Sequence, residues 1–200
     1  MIYTIGHSNH DIEYFRDMLV EHGVSCVIDV RSVPASAYSP HFNKEPLSAY
    51  LKRHNIMYMH FGREFGARQT QPEVLDESGK VNFDAVRKTE LFQSGVQRLK
   101  DGLDKGYVIA LMCSEAEPFD CHRFSLISYY LARNGLSVKH ILKDKTVIDN
   151  STLEKRLLKN YAKQVPQPDL FDPAAISPEE QLDFAYRLRG QDVAYDTLND

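Results

Sequence analysis

The chain has no tryptophan, only three cysteines and no apolar run approaching the roughly 20 residues that cross a bilayer. Each shortage excludes something. Cys26, Cys113 and Cys121 are too few and too odd in number for a disulfide framework, and alone they cannot fill a four-cysteine zinc or iron–sulfur site. No excess of positive charge is present. The formal net charge of -4 gives no general pull toward nucleic acid, although a local basic patch is compatible with it. The first residues, Met1 to Gly6, lack a basic stretch followed by an apolar core, so no secretory signal is expected. A cytoplasmic protein with no membrane segment is the resulting expectation. What is present is ordinary for a globular chain of 200 residues, with 42% hydrophobic and 26% charged side chains.

The hydrophobic pattern alternates short apolar runs with amphipathic stretches. Ile2–Ile5, Cys26–Val30, Ile56–Phe61, Tyr107–Met112 and Val138–Leu142 read as strands. Between them, Ile12 to Gly23 reads as a helix capped by Ser8 or Asn9, Pro46 to His54 as a second, and Asn82 to Lys105 as a third, broken near Gly95. Cys121 to Asn134 reads as a fourth helix with Asp120 as its N-cap. Ser32 to Pro46 and Gly62 to Ser78 read as loops. This order predicts a three-layer α/β/α fold with a mostly parallel sheet of about five strands over residues 1–150. Residues 151–200 are expected to form a separate tail: a helix over about Thr152 to Ala162, a proline-rich linker, and a short acidic helix over Ser177 to Leu188.

In such sheets the ligand crevice lies beyond the carboxyl ends of the strands. That rule gathers Gly6-His7-Ser8, Asp29 and Arg31, His60-Phe61-Gly62 and Cys113 on one rim. The densest chemistry is Leu111-Met112-Cys113-Ser114-Glu115-Ala116-Glu117-Pro118-Phe119-Asp120-Cys121-His122-Arg123. A helix start stabilises anions and thiolates. Cys113, Cys121, His7 and Glu115 are therefore the candidate catalytic residues. Ser8, Arg31, Arg68, His122 and Arg123 are the candidate substrate-binding residues, with Arg68 on a glycine-flanked basic loop. The bland alternative makes the cysteines core and the charges solvated surface. A metal at Cys113 and Cys121 is not favoured, because adjacent residues such as Cys121 and His122 are expected to point in different directions. The cofactor is left unknown.

Gln167-Pro168-Asp169-Leu170-Phe171 resembles the pentapeptide by which bacterial DNA polymerases and repair proteins dock on the sliding clamp, with Pro168 as its departure. Gln167, Leu170 and Phe171 are the candidate partner-binding residues. Thr4-Ile5-Gly6-His7-Ser8, Ile28-Asp29-Val30-Arg31-Ser32-Val33-Pro34 and Leu111-Met112-Cys113-Ser114-Glu115 with Cys121-His122-Arg123 together resemble the family called domain of unknown function 488, over roughly residues 1–150. That resemblance implies an α/β domain with a site that uses the cysteines. Val27-Ile28-Asp29-Val30-Arg31 and the strand–cysteine–loop–helix unit also resemble rhodanese-like domains. There the pattern departs, since ten positions separate Cys113 from Arg123 and the loop is acidic. The leading functional expectation is an enzyme acting on a nucleotide or nucleic-acid component, with DNA repair as a setting. A redox- or metal-sensing adaptor is the alternative, and sulfur transfer a weaker one.

Overall fold

Side chains of a strand point alternately to the two faces of its sheet, and this chain uses both faces. In the computed structural model, which describes residues 1–167 and 176–198, six strands form one sheet. They are β1 (Ile2–Gly6), β2 (Cys26–Asp29), β3 (Met57–His60), β4 (Ile109–Cys113), β5 (Val138–Ile141) and β6 (Val147–Asp149). The order is β3-β2-β4-β1-β5-β6. Neighbouring strands are parallel from β3 to β5, and β6 runs antiparallel to β5. The sixth strand was not expected, because three residues carry no legible period.

On one face, Val27, Ala110, Met112, Ile5 and Ile141 meet the apolar stripes of α1 (Ile12–Glu21) and α2 (Lys44–Arg53). On the other, Cys26, Ile28, Ile109, Leu111 and Cys113 meet α3 (Gly62–Phe65), α4 (Phe83–Lys88), α5 (Glu90–Asp104) and α6 (Tyr129–Arg133). A six-residue π-helical segment, Arg123–Ser128, leads directly into α6. Its first carbonyl is held by the side chain: Ser128 Oγ donates to the Arg123 carbonyl at 2.7 Å. This is the three-layer α/β/α architecture expected from the sequence.

Several local expectations are corrected. The cap of α1 is Asp11, while Ser8 lies in a turn with φ of 48°. The region 62–78 is not simply a loop, since it contains α3 and a 3-10 turn over Pro72–Val74. The break between α4 and α5 falls at Thr89, whose Oγ1 donates to the Val86 carbonyl and accepts from Phe92 N–H. Gly95 instead sits inside α5 where α3 crosses it. A Cβ at that position would lie 2.7 Å from Glu64 Cβ, so the glycine permits the crossing.

The C-terminal part packs back on the domain. α7 (Asn150–Asn160) and α8 (Pro178–Val193) bury Leu153, Leu157, Ala185 and Tyr186 against Phe119 and Phe124. α8 begins with a capping box, Ser177 with Glu180, and runs beyond Leu188. Gln167 donates from Nε2 to the carbonyls of Ala162 and Val165, at 3.2 and 2.9 Å. Leu170 and Phe171 lie outside the described residues.

A buried polar chain ties this C-terminal part to the sheet. Thr4 Oγ1 donates to His140 Nδ1 at 2.8 Å, and His140 Nε2 donates to Asn150 Oδ1 at 3.0 Å. Asn150 Nδ2 donates to Glu154 and to the Tyr186 hydroxyl. Burial holds the His140 pKa down at about 4, so the ring is neutral in the fold. The unfolded chain protonates this histidine near 6.5, and the folded chain does not. Stability from this group is therefore complete above about pH 6.5 and falls as the pH drops toward 4, by up to about 3 kcal/mol. Denaturant unfolding between pH 7.5 and 4.5 should show a shallower pH dependence for His140→Gln than for the native chain. Equal slopes would exclude a buried neutral His140.

Candidate functional site

Register sets the rim. Gly6 pairs with Cys113, and Asp29 pairs with both Met112 and His60, so the C-terminal ends of four adjacent strands lie side by side. The loop after β4 crosses the end of β1. His7 N–H donates to the Cys113 carbonyl and Ser8 N–H to the Ser114 carbonyl, both at 2.9 Å. A Cβ on Gly6 would lie 1.9 Å from the Glu115 carbonyl oxygen. Glycine is the residue that lets the loop pass there.

The loop is held from the other side by Arg123. Its guanidinium is completely buried and donates to the carbonyls of Glu115 and Ala116, at 2.7 and 3.0 Å. The side chain proposed from sequence as an anion ligand is thus committed to shaping the loop. Asp120 does not cap the helix. It closes a 3-10 turn, Pro118–Asp120, and pairs with Arg189 at 2.5 Å. The capping position belongs to Cys121, which is extended (φ -133°, ψ 146°) and whose Sγ accepts from Arg123 N–H at 3.4 Å.

That cap geometry overturns the expected divergence of Cys121 and His122. Because Cys121 is extended and His122 is the first residue in helical conformation, the two side chains turn to the same side. His122 Nδ1 lies 3.7 Å from Cys121 Sγ and 3.8 Å from Cys113 Sγ. Cys121 Sγ lies 3.0 Å from Glu115 Oε2. Glu115 keeps contact with solvent while its carboxylate reaches inward. Both thiols and His122 are buried. A hydrogen bond to Cys121, then burial, hold the Cys113 thiol well above its ordinary pKa. Burial acts the same way on Cys121, but the Cys113 hydrogen bond and the charges of Arg123 and His122 outweigh it and bring that thiol well below. Burial raises Glu115. Burial opposes the charging of His122, yet the neighbouring Cys121 charge prevails and raises its pKa.

Beside this cluster is a second one. Arg31 donates to both carboxylate oxygens of Asp29, at 2.9 and 2.6 Å, and to the Phe42 carbonyl at 2.7 Å. The Tyr58 hydroxyl also donates to Asp29, at 2.7 Å. His7 donates from Nδ1 to the Ser8 carbonyl, and its Nε2 accepts from Arg31 Nη1 at 3.0 Å. Burial and the Arg31 charge lower the His7 pKa to about 4. His7 is a neutral ring stacked on Phe42, with its lone pair occupied by Arg31. Tyr58 and the Phe42 carbonyl carry no sequence signal as partners on this rim, since nothing in a half-apolar edge strand or a proline-rich loop marks them.

Between the two clusters lies a crevice of about 430 Å³. Its walls include Arg31, Ser32, Ser36, Arg68, Cys113, Glu115 and His122. Of the sequence-based candidates, Cys113, Glu115, His122, Arg31 and Arg68 meet there. Cys121 backs the same cluster from behind. Ser8 is tied by its backbone to Ser114, and its hydroxyl donates to Asn9.

The tight passage over Gly6 makes a sharp expectation. Gly6→Ala should push the loop off the β1 end, cost about 1–3 kcal/mol, and speed alkylation of Cys121 under native conditions. Both are read by denaturant unfolding and by peptide mapping of timed alkylation. An alanine variant of unchanged stability and unchanged thiol reactivity would contradict the close approach.

Comparison with curated proteins and with solved structures returned no match. Residues 11–130 match the family described as Domain of unknown function DUF488. That span carries β2 to β4, Arg31, Arg68, the acidic loop and the Cys121-His122-Arg123 helix start, and the chain belongs to the DUF488 family.

Proposed function

We propose that this chain is an enzyme acting on an anionic substrate of the nucleotide or nucleic-acid class, bound in the crevice at the C-terminal edge of the sheet. The observation that supports this reading most is the shared wall: Arg31 and Arg68 line the same crevice as Cys113, Glu115 and His122. A volume of about 430 Å³ suits a nucleotide-sized ligand. The loop that forms one side carries an exposed aromatic residue just beyond the lining. Tyr38 is 99% exposed and stands two residues beyond Ser36, which lines the crevice. A base stacks readily on such a ring. In this arrangement Arg68 engages a phosphate, Ser32 and Ser36 supply hydroxyls, and the thiol, imidazole and carboxylate groups face the reacting end. His7 acts through Arg31, as a positioning residue, because its lone pair is already engaged.

The proximity of Cys113 and Cys121 to one another favours a second reading, a reversible thiol pair in a sensing adaptor. The two readings separate on ligand binding. Titration calorimetry with nucleoside monophosphates and with a short single-stranded oligonucleotide should give saturable binding. Arg68→Ala should weaken it about 10-fold, the magnitude of one charge-assisted contact. Absent binding, or binding indifferent to Arg68, would remove the enzyme reading and leave the thiol pair.

A further inference from the structure

Cys113 ends β4, Glu115 lies in the loop, Cys121 caps the following helix and His122 opens it. One donor atom from each lies within 4.8 Å of all the others. The two sulfurs stand 3.8 and 3.7 Å from His122 Nδ1. Tetrahedral ligands at about 2.3 Å for sulfur and about 2.0 Å for nitrogen place sulfur and nitrogen roughly 3.5 Å apart. The observed separations come within a few tenths of an ångström of that value without any rearrangement of the backbone. Ordinary core packing does not account for the set. Two thiols, a carboxylate and an imidazole have been drawn from four separate positions to within 4.8 Å of one another. A disulfide would use the two sulfurs and leave Glu115 and His122 unexplained.

We propose that Cys113, Cys121, His122 and Glu115 bind one divalent metal ion of the zinc class. The donor set selects that class: two thiolates and an imidazole suit a borderline-soft ion, whereas magnesium and calcium require mostly oxygen. The two sulfurs and the ring are buried. Cys113 and His122 line the crevice as Glu115 does, but Glu115 is the one exposed residue of the four, so it is the ligand that an incoming substrate oxygen or water can displace. The ion then presents its exchangeable position to the same crevice that Arg68 lines. This deepens the proposed function and takes from it only the role of the crevice; metal binding itself stands on the four side chains.

The test uses the full chain, reduced and stripped of metal, titrated with cobalt(II) and separately with zinc. One equivalent of cobalt should give a thiolate-to-cobalt charge-transfer band together with the intense visible bands of tetrahedral coordination. One equivalent of zinc should displace it and should protect Cys113 and Cys121, but not Cys26, from alkylation under denaturing-free conditions normalised to the apo chain. Cys113→Ser and His122→Gln should each weaken cobalt binding at least about 10-fold. Glu115→Gln, the change least disruptive to folding, should keep the charge-transfer band and alter the visible bands. Circular dichroism identifies any variant that fails to fold, and the zinc protection of native thiols then decides alone. Binding without charge transfer, no stoichiometric binding, or unprotected thiols would each overturn the proposal. Nucleotide binding that persists through Arg68 after such a result would show that the crevice reading survives without the metal.

Discussion

A single buried guanidinium organises the functional end of this molecule. Arg123 holds the carbonyls of Glu115 and Ala116, and the loop so held lies directly on Gly6. Removing the charge would leave two carbonyls without their buried donor, and enlarging Gly6 would remove the room. Arg123 also places its own N–H on Cys121 Sγ, which fixes the cap of the helix that carries it. Loop, cap and helix are therefore one unit. Its stability rests on charge-assisted hydrogen bonds in a low-dielectric setting, where each such bond matters more than on the surface.

The rest of the fold supplies that unit with a rigid floor and a rigid back. Five parallel strands bring Gly6, Asp29, His60 and Cys113 to one edge. The Asp29–Arg31 pair, closed by Tyr58 and by neutral His7, stiffens the neighbouring rim. Behind the acidic loop, Phe119 and Phe124 are packed by α7 and α8, with Arg189 and Arg156 over the Phe119 ring. The C-terminal helices thus touch the same loop that carries Glu115. Their polar link to the sheet runs through His140 and Asn150.

Much of this was legible in the chain itself. All-apolar runs such as Cys26-Val27-Ile28 and Ala110-Leu111-Met112 declare strands buried on both faces, and the strand-end rule then places His7, Arg31 and Cys113 together without any structure. What stayed hidden depended on backbone detail. Asp120 carries a better capping side chain than Cys121, so the pattern points to Asp120; the 3-10 turn at Pro118 shifts the cap by one residue. That one-residue shift is what turns Cys121 and His122 to the same side. Likewise a buried Arg123 and a surface Arg123 look identical in sequence, and Thr89 rather than Gly95 ends a helix because its hydroxyl bonds to two backbone groups.

The loop, the cap and the strand end build one convergent donor set at the crevice. X-ray absorption at the zinc edge of the zinc-loaded chain reads that set directly. Two sulfurs at about 2.3 Å and two nitrogen or oxygen atoms at about 2.0 Å are expected in the first shell. A shell of light atoms alone, or one sulfur only, would contradict it.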